Sequence, residues 1–127
     1  MKTRAQQIMS DKDARTPQEV TQCIHDIAAE FEPYIIKQRR HFHKHPEPSL
    51  AEVRTTSDIA NQLDAMNIPY ERPLKTGLVA TLRGTAPDAY REDGTPRRRI
   101  LLRADIDALP VTEQTGEEFA SVNEGFM

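Results

Sequence analysis

Two aspartates, Asp105 and Asp107, are the side chains whose type and spacing best suit chemistry. They follow an apolar run at 100–102 that is typical of a strand buried on both faces. In an extended chain both carboxylates point to one side and Ile106 points to the other. Open α/β sheets bind ligands beyond the carboxyl ends of their strands. The pair could orient a metal-ligating histidine, bind a hard cation or transfer protons; equally, it could cap a turn or pair with Arg103.

Three histidines, His41, His43 and His45, form the second group of potential metal ligands. His41 and His45 lie four apart, so on a helix they share a face at a spacing that can bind zinc. No acidic residue stands between them, however, and the neighbouring basic residues suit a helix C-terminus, where positive charge complements the helix dipole. The helix-end interpretation is therefore favoured. Cys23, the only cysteine, is predicted to be a small core residue.

Two helices are predicted to come first. Residues 16–19 form a capping box with a proline at the first helical position. Pro33 predicts a kink or a restart, and Pro46 predicts that the helix ends near His45. A second capping box at 49–52 predicts the next helix. The two apolar stripes comprise Val20, Ile24, Ile27, Phe31 and Ile35, then Val53, Thr56, Ile59, Ala60, Leu63 and Met66.

Strands are predicted at 77–82 and 99–104, separated by a polar loop at 84–98 with a turn at Asp93-Gly94. No element is predicted after Pro110. This order indicates an α/β fold. It is an incomplete one, because a strand buried on both faces needs further sheet and helix to cover it.

The composition of the 127 residues, 37% hydrophobic and 29% charged, is that of a globular protein. A net charge of −3 gives no reason to expect nucleic acid or an anionic membrane as partner. No apolar run approaches the ~20 residues of a membrane-spanning helix. Residues 1–15 are predicted to be a flexible tail, and they lack the apolar segment of a signal peptide. The expected compartment is the cytoplasm.

Three stretches together carry a family resemblance: residues 39–47 (RRHFHKHPE), 76–84 (TGLVATLRG) and 101–121 (LLRADIDALPVTEQTGEEFAS). In this order and spacing they resemble the amidohydrolase branch of the zinc exopeptidases. That branch contains hippurate hydrolase, N-acyl-amino-acid hydrolases and auxin-conjugate hydrolases. The resemblance covers nearly everything after Thr16, whereas each motif alone would be weak.

The resemblance implies an α/β/α sandwich catalytic domain, of which 16–127 would be the N-terminal portion, without the inserted lid or dimerisation domain. It also implies a homodimer and two divalent metals, zinc or manganese. Asp107 stands where related enzymes keep an aspartate that orients a metal-binding histidine. Asp105, which would line the site, stands where many relatives have a histidine ligand. The branch's His-Ala-Cys-Gly-His-Asp metal motif would be expected directly after Met127, so no metal ligand is assigned within these residues.

The resemblance implies metal-dependent hydrolysis of the amide bond of N-acyl amino acids, in which a metal-bound water attacks the carbonyl. The chain alone is expected to be inactive, because the ligands and the general base of the family lie outside it. Two alternatives remain. One is a non-catalytic truncated product or a module that binds a partner through an uncovered sheet edge. The other is a small metal-binding protein built on the histidine run.

Overall fold

Two helices and a small antiparallel sheet make up the regular structure of residues 16–86 and 88–127, the part that the computed structural model describes. The predicted tail at 1–15 lies outside these residues. Helix α1 spans Pro17–Lys44 and helix α2 spans Val53–Ala65. Strand β1, Tyr70–Glu71, pairs with β2, Val79–Ala80. The chain divides into two compact units, one ending at His41 and one running from Phe42 to Met127.

The start of α1 is the predicted capping box. The Thr16 hydroxyl accepts a hydrogen bond from the Glu19 amide at 3.3 Å, and the Glu19 carboxylate accepts one from the Thr16 amide at 2.7 Å. The helix continues through Pro33, so the predicted alternative of a restart is wrong; a proline removes only one hydrogen bond of a long ladder. It ends at Lys44, two residues before Pro46, as predicted.

Within the described residues, the apolar stripe of α1 is solvent-exposed except at Ile27, which is half-buried. No residue of the helix is buried, and Ile24 and Ile35 are 62% and 57% exposed. Cys23 is half-buried, so the prediction that it belongs to a core is wrong. Amphipathic spacing established the helix correctly, but it does not by itself say what covers the stripe.

The start of α2 is held differently from the prediction. Glu52 is the N-cap residue but makes no side-chain capping hydrogen bond, and Leu50 lies in a turn with a positive φ of 65°. The predicted capping box at 49–52 is therefore wrong. Instead the carboxylate of Glu47 accepts hydrogen bonds from the amides of Arg54 (3.1 Å) and Thr55 (2.7 Å), and from the Thr55 hydroxyl (2.9 Å). A carboxylate at this helix end also complements the helix dipole.

The buried side of α2 is small and partly polar. Thr56 and Ala60 are each 2% exposed, which confirms these two positions of the predicted stripe, whereas Val53 and Met66 are exposed. The Thr56 hydroxyl accepts a hydrogen bond from the Gly77 amide at 2.9 Å. Through this bond α2 is tied to the turn that leads into β2.

The sheet is shorter than predicted. Within the predicted strand at 77–82 only Val79–Ala80 pairs, with Tyr70 opposite Ala80 and Glu71 opposite Val79. The prediction of a strand here is confirmed in place but not in length. A two-stranded ribbon of this size contributes little stability by itself.

The predicted buried strand at 99–104 is not formed. Ile100 and Leu101 are each 87% exposed and Leu102 is 90% exposed. A strand exists only where a neighbouring strand takes up its hydrogen bonds, and no strand pairs with 99–104 within 16–86 and 88–127. The apolar sequence was correctly identified, but its burial was not.

The loop at 84–98 contains the predicted turn. Gly94 has a positive φ of 78°, and its amide donates to the Arg91 carbonyl at 3.0 Å. The Asp93 carboxylate accepts from the amide and the hydroxyl of Thr95 at 2.9 and 2.6 Å. These local bonds stabilise the tip of the loop, but they do not extend to Arg98, which is exposed.

We expect limited trypsin digestion to cut first within 84–98, after any cuts in the tail. The peptide bonds after Arg97 and Arg98 should be cut sooner than the one after Arg91, because the Arg91 side chain is hydrogen-bonded to Thr95 and Pro96. Mass spectrometry of early fragments checks this, with Arg98→Gln as the variant that removes one site. First cuts at Arg54 in α2 would contradict it.

Candidate functional site

The two predicted site residues lie in an exposed, irregular segment. Asp105 forms an ion pair with Arg103, and the two side chains are 64% and 78% exposed. Pairing with Arg103 was one of the interpretations that the sequence left open, beside turn capping and the functional roles, and for Asp105 it is the one observed. Asp107 is also exposed. The two carboxylates therefore do not form a closed ion-binding cluster.

The backbone directly after Asp107 is held at two points. The amide of Ala108 donates to the carbonyl of Glu47 at 2.8 Å. The next residue, Leu109, exchanges two backbone hydrogen bonds with Met127, at 2.9 and 3.1 Å. Since the Glu47 side chain caps α2, one residue connects the start of that helix to the chain beside Asp107.

Like Glu47, Glu113 accepts hydrogen bonds from three groups of this unit. Its Oε1 lies 3.0 Å from Nε2 of His43 and also accepts from the Thr115 hydroxyl. Its Oε2 accepts from the Ser121 amide at 2.6 Å. The Glu113 side chain is only 4% exposed and that of His43 is 23% exposed. The His43 ring also meets the ring of Phe119 edge-on, with centroids 5.7 Å apart.

These donors stabilise the ionised form of Glu113. The pKa of Glu113 is lowered from 4.5 to about 2. The largest contribution comes from the Ser121 amide, the next from the Thr115 hydroxyl and then from His43. For Glu47, burial raises the pKa, but the hydrogen bonds from Thr55 and Arg54 outweigh burial and leave the pKa lowered. Both carboxylates are therefore ionised at neutral pH.

The low pKa of Glu113 predicts a specific loss of stability in acid. A group with a folded-state pKa below its unfolded value stabilises the fold above the unfolded value, and that stabilisation is lost as pH falls through the folded value. For Glu113 the window runs from pH 4.5 down to about 2. Urea unfolding at several pH values in this window should show a shallower loss of stability in Glu113→Gln than in wild type. Equal slopes would contradict the assignment.

The segment 108–127 makes further bonds to the end of α1 and the residues after it. The amide of Val122 donates to the Lys44 carbonyl at 3.0 Å, and Lys44 Nζ donates to the Glu118 carbonyl at 3.4 Å. The side-chain amide of Asn123 donates to the Pro46 carbonyl. Residues 43–48 and 108–127 are thus packed together, and with them parts of the two separate sequence motifs at 39–47 and 101–121.

Sequence reasoning missed the Glu113–His43 pair. The two residues are separated by 70 positions, and Glu113 stands in a polar stretch without periodicity. The sequence suggested for His43 either a place at a helix C-terminus or a metal ligand, and neither interpretation includes a carboxylate partner. The one available signal was that both residues fall inside family-like motifs.

The side chains of the described residues do not fit a metal site. No group of three or more His, Cys, Asp or Glu in 16–86 and 88–127 is arranged to hold a metal ion. Nor does His43 support a metal site on the histidine run, since its Nε2 faces Glu113. Among the helices described, none is long and apolar enough to cross a membrane.

Comparison with known sequences finds hydrolases. An uncharacterized hydrolase of Staphylococcus epidermidis is 42% identical over 94 residues, which is 74% of this chain and 22% of the relative. One from Staphylococcus saprophyticus is 43% identical over 88 residues, 69% of this chain and 20% of the relative. The chain thus spans about a fifth of the length of these relatives. No family model matches the chain.

Comparison with solved structures finds metal-dependent enzymes. The Bacillus subtilis YXEP protein, a dinuclear metal-binding peptidase of the M20 family, has a TM-score of 0.65 and 40% identity. The match covers 78% of this chain and 26% of that one. A provisionally assigned aminohydrolase of methicillin-resistant Staphylococcus aureus has a TM-score of 0.66 and 34% identity, covering 80% and 25%. The resemblance seen in the three motifs is confirmed, and so is the α/β fold class. The chain is similar to metal-binding peptidases of the M20 family and matches an N-terminal part of their peptidase domain.

Proposed function

We propose that these residues are part of an enzyme that hydrolyses the amide bond of N-acyl amino acids with divalent metal ions, zinc or manganese. The proposal draws on the similarity to M20-family enzymes and on the amidohydrolase character of the three motifs. The 40% identity to a dinuclear metal-binding peptidase supports dependence on a divalent metal. The small acyl amino acid substrate and the homodimer are proposed from the same resemblance, and the cytoplasmic location is proposed because one cysteine allows no intrachain disulfide.

The observation that best supports a role of these residues in such an enzyme is the backbone pairing of Leu109 with Met127. It brings the backbone beside Asp107 next to the point after which the resemblance expects the His-Ala-Cys-Gly-His-Asp motif. A carboxylate placed there accepts a hydrogen bond from an imidazole N–H and fixes the orientation of the ring. Because the described residues form no metal site, the proposed contribution of this chain is limited to Asp107 and the scaffold that holds it.

A chimera tests the proposal. Residues 16–127 would replace the aligned segment of the Bacillus subtilis M20 peptidase, and hydrolysis of N-acetyl and N-benzoyl amino acids would be measured beside dipeptides. We expect turnover of the acylated amino acids that a chelator abolishes. A folded chimera that turns over neither class of substrate would contradict the proposed part of these residues in a metal-dependent hydrolase.

The 127-residue chain itself is the control. We expect no turnover and no divalent metal retained after dialysis, measured by elemental analysis, because catalytic sites need about three converging protein ligands. Two tightly held metals per chain, or turnover that Asp107→Ala removes, would contradict the limited role given to these residues.

A non-catalytic binding module is the second candidate function. It is favoured by the exposed apolar run Ile100, Leu101 and Leu102, since exposed apolar segments often mark interaction sites. Size-exclusion chromatography with light scattering of wild type and Leu101→Lys tests it. Two results together would favour the binding module: Leu101→Lys abolishes an association seen in wild type, and the chimera shows no turnover.

A further inference from the structure

The segment from Asp107 to Met127 contains neither helix nor strand, but hydrogen bonds fix its backbone at several points. Its position therefore depends on isolated hydrogen bonds to the end of α1 and the residues that follow. Among these, the bonds made by Glu113 use a nearly buried carboxylate, and removal of a buried partner costs more than the net value of a typical hydrogen bond. We propose that Glu113, through its bonds to His43, Thr115 and Ser121, is the positioning residue that holds Asp107 in place.

The three donors to Glu113 come from different parts of this unit. His43 lies in the last turn of α1. Thr115 lies two residues after Glu113, and Ser121, whose amide closes the loop, lies eight residues after Glu113. Both carboxylate oxygens are used. One side chain therefore joins the two ends of an irregular loop to a regular element.

Glu113 does not contact Asp107 directly. Its bond to His43 lies next to the bond between Ala108 and Glu47, which holds the residue after Asp107. Glu113 bonds to His43, and five residues earlier Ala108 bonds to Glu47, which lies four residues after His43. The segment is thus fixed at two neighbouring places along the same stretch of chain. With the Glu113 bonds removed, Ala108 keeps one backbone hydrogen bond to Glu47 and Leu109 keeps two to Met127, and neither residue lies in a strand that would support these bonds.

The inference rests on the proposed role of Asp107, but its first test does not require turnover. Amide hydrogen exchange of the 127-residue chain would be followed by NMR in Glu113→Gln and in the matched control Glu117→Gln, whose side chain is exposed in the same loop. A glutamine amide cannot accept the hydrogen bonds that one carboxylate oxygen now accepts. We expect at least tenfold faster exchange at Ala108 and Leu109 in Glu113→Gln, with Thr56 in α2 unchanged and the control as wild type.

The second test separates positioning from general stability. In the chimera, Glu113→Gln should lower kcat about 10-fold with KM within about twofold, corrected for the folded fraction from circular dichroism. Unchanged exchange at Ala108 and Leu109, or faster exchange with unchanged kcat, would overturn the inference. Should Glu113→Gln fail to fold, Thr115→Val removes one donor only, and equal exchange in that variant and wild type would overturn it as well. Retained activity in Asp107→Asn would instead contradict the proposed role of Asp107, and the exchange data, which require no turnover, would still test the role of Glu113 separately.

Discussion

In the chimera that carries residues 16–127, Asp107→Asn is expected to lower kcat by about 10- to 100-fold while the protein stays folded. The substitution keeps the size of the side chain and removes its charge, so it weakens a hydrogen bond to an imidazole without creating a cavity. Because Asp107 is exposed within the described residues, its removal disturbs no packing in this unit. Steady-state kinetics with a benzoylated amino acid, together with circular dichroism, would measure both effects.

Asp105→Asn is the matched control for this substitution. Asp105 has the same chemistry two residues away, but it is paired with Arg103 and 64% exposed. We expect its kcat to remain within about threefold of wild type, in keeping with the small contribution of exposed ion pairs. Equal losses in the two variants would contradict a specific role for Asp107, and near-wild-type activity of Asp107→Asn would contradict the role altogether.

Local rules predicted the parts of the fold that are determined locally. The capping box at Thr16 and Glu19, the end of α1 before Pro46 and the turn at Gly94 each depend on residues a few positions apart. Such features follow from backbone conformation and short-range hydrogen bonds, and they were found where the sequence placed them.

Features that depend on distant residues were missed or predicted wrongly. A capping box at 49–52 satisfies the same pattern as the one at the start of α1, but the carboxylate of Glu47 occupies the role instead. Burial of 100–102 was inferred from apolar character, although burial requires neighbouring strands that only tertiary structure supplies.

The candidate site divides in the same way. Asp105 and Asp107 were found from spacing and resemblance, and neither source could say which of the two would pair with Arg103. The Glu113–His43 pair could not be found at all, since nothing in either local sequence indicates a partner 70 residues away. The role of Asp107 remains a prediction.

Substitution of Glu47 by alanine is expected to destabilise the second unit by about 1–2 kcal/mol at pH 7, because it leaves the amides of Arg54 and Thr55 without their capping acceptor. The backbone carbonyl of Glu47, which accepts from Ala108, is retained in this variant. The loss therefore concerns the start of α2 and not the anchor beside Asp107. Urea unfolding followed by circular dichroism measures it, with the exposed Glu71→Ala as control.

The pH dependence identifies the cap as the cause. The pKa of Glu47 is lowered in the folded state, so its stabilisation is present above its unfolded value of 4.5 and is lost as pH falls below that value. The difference between wild type and Glu47→Ala should therefore shrink as the pH is lowered from 7 through 4.5, whereas Glu71→Ala should show no such trend. A difference that stays constant down to pH 3 would mean that lost packing, and not the ionised cap, explains the effect of the substitution.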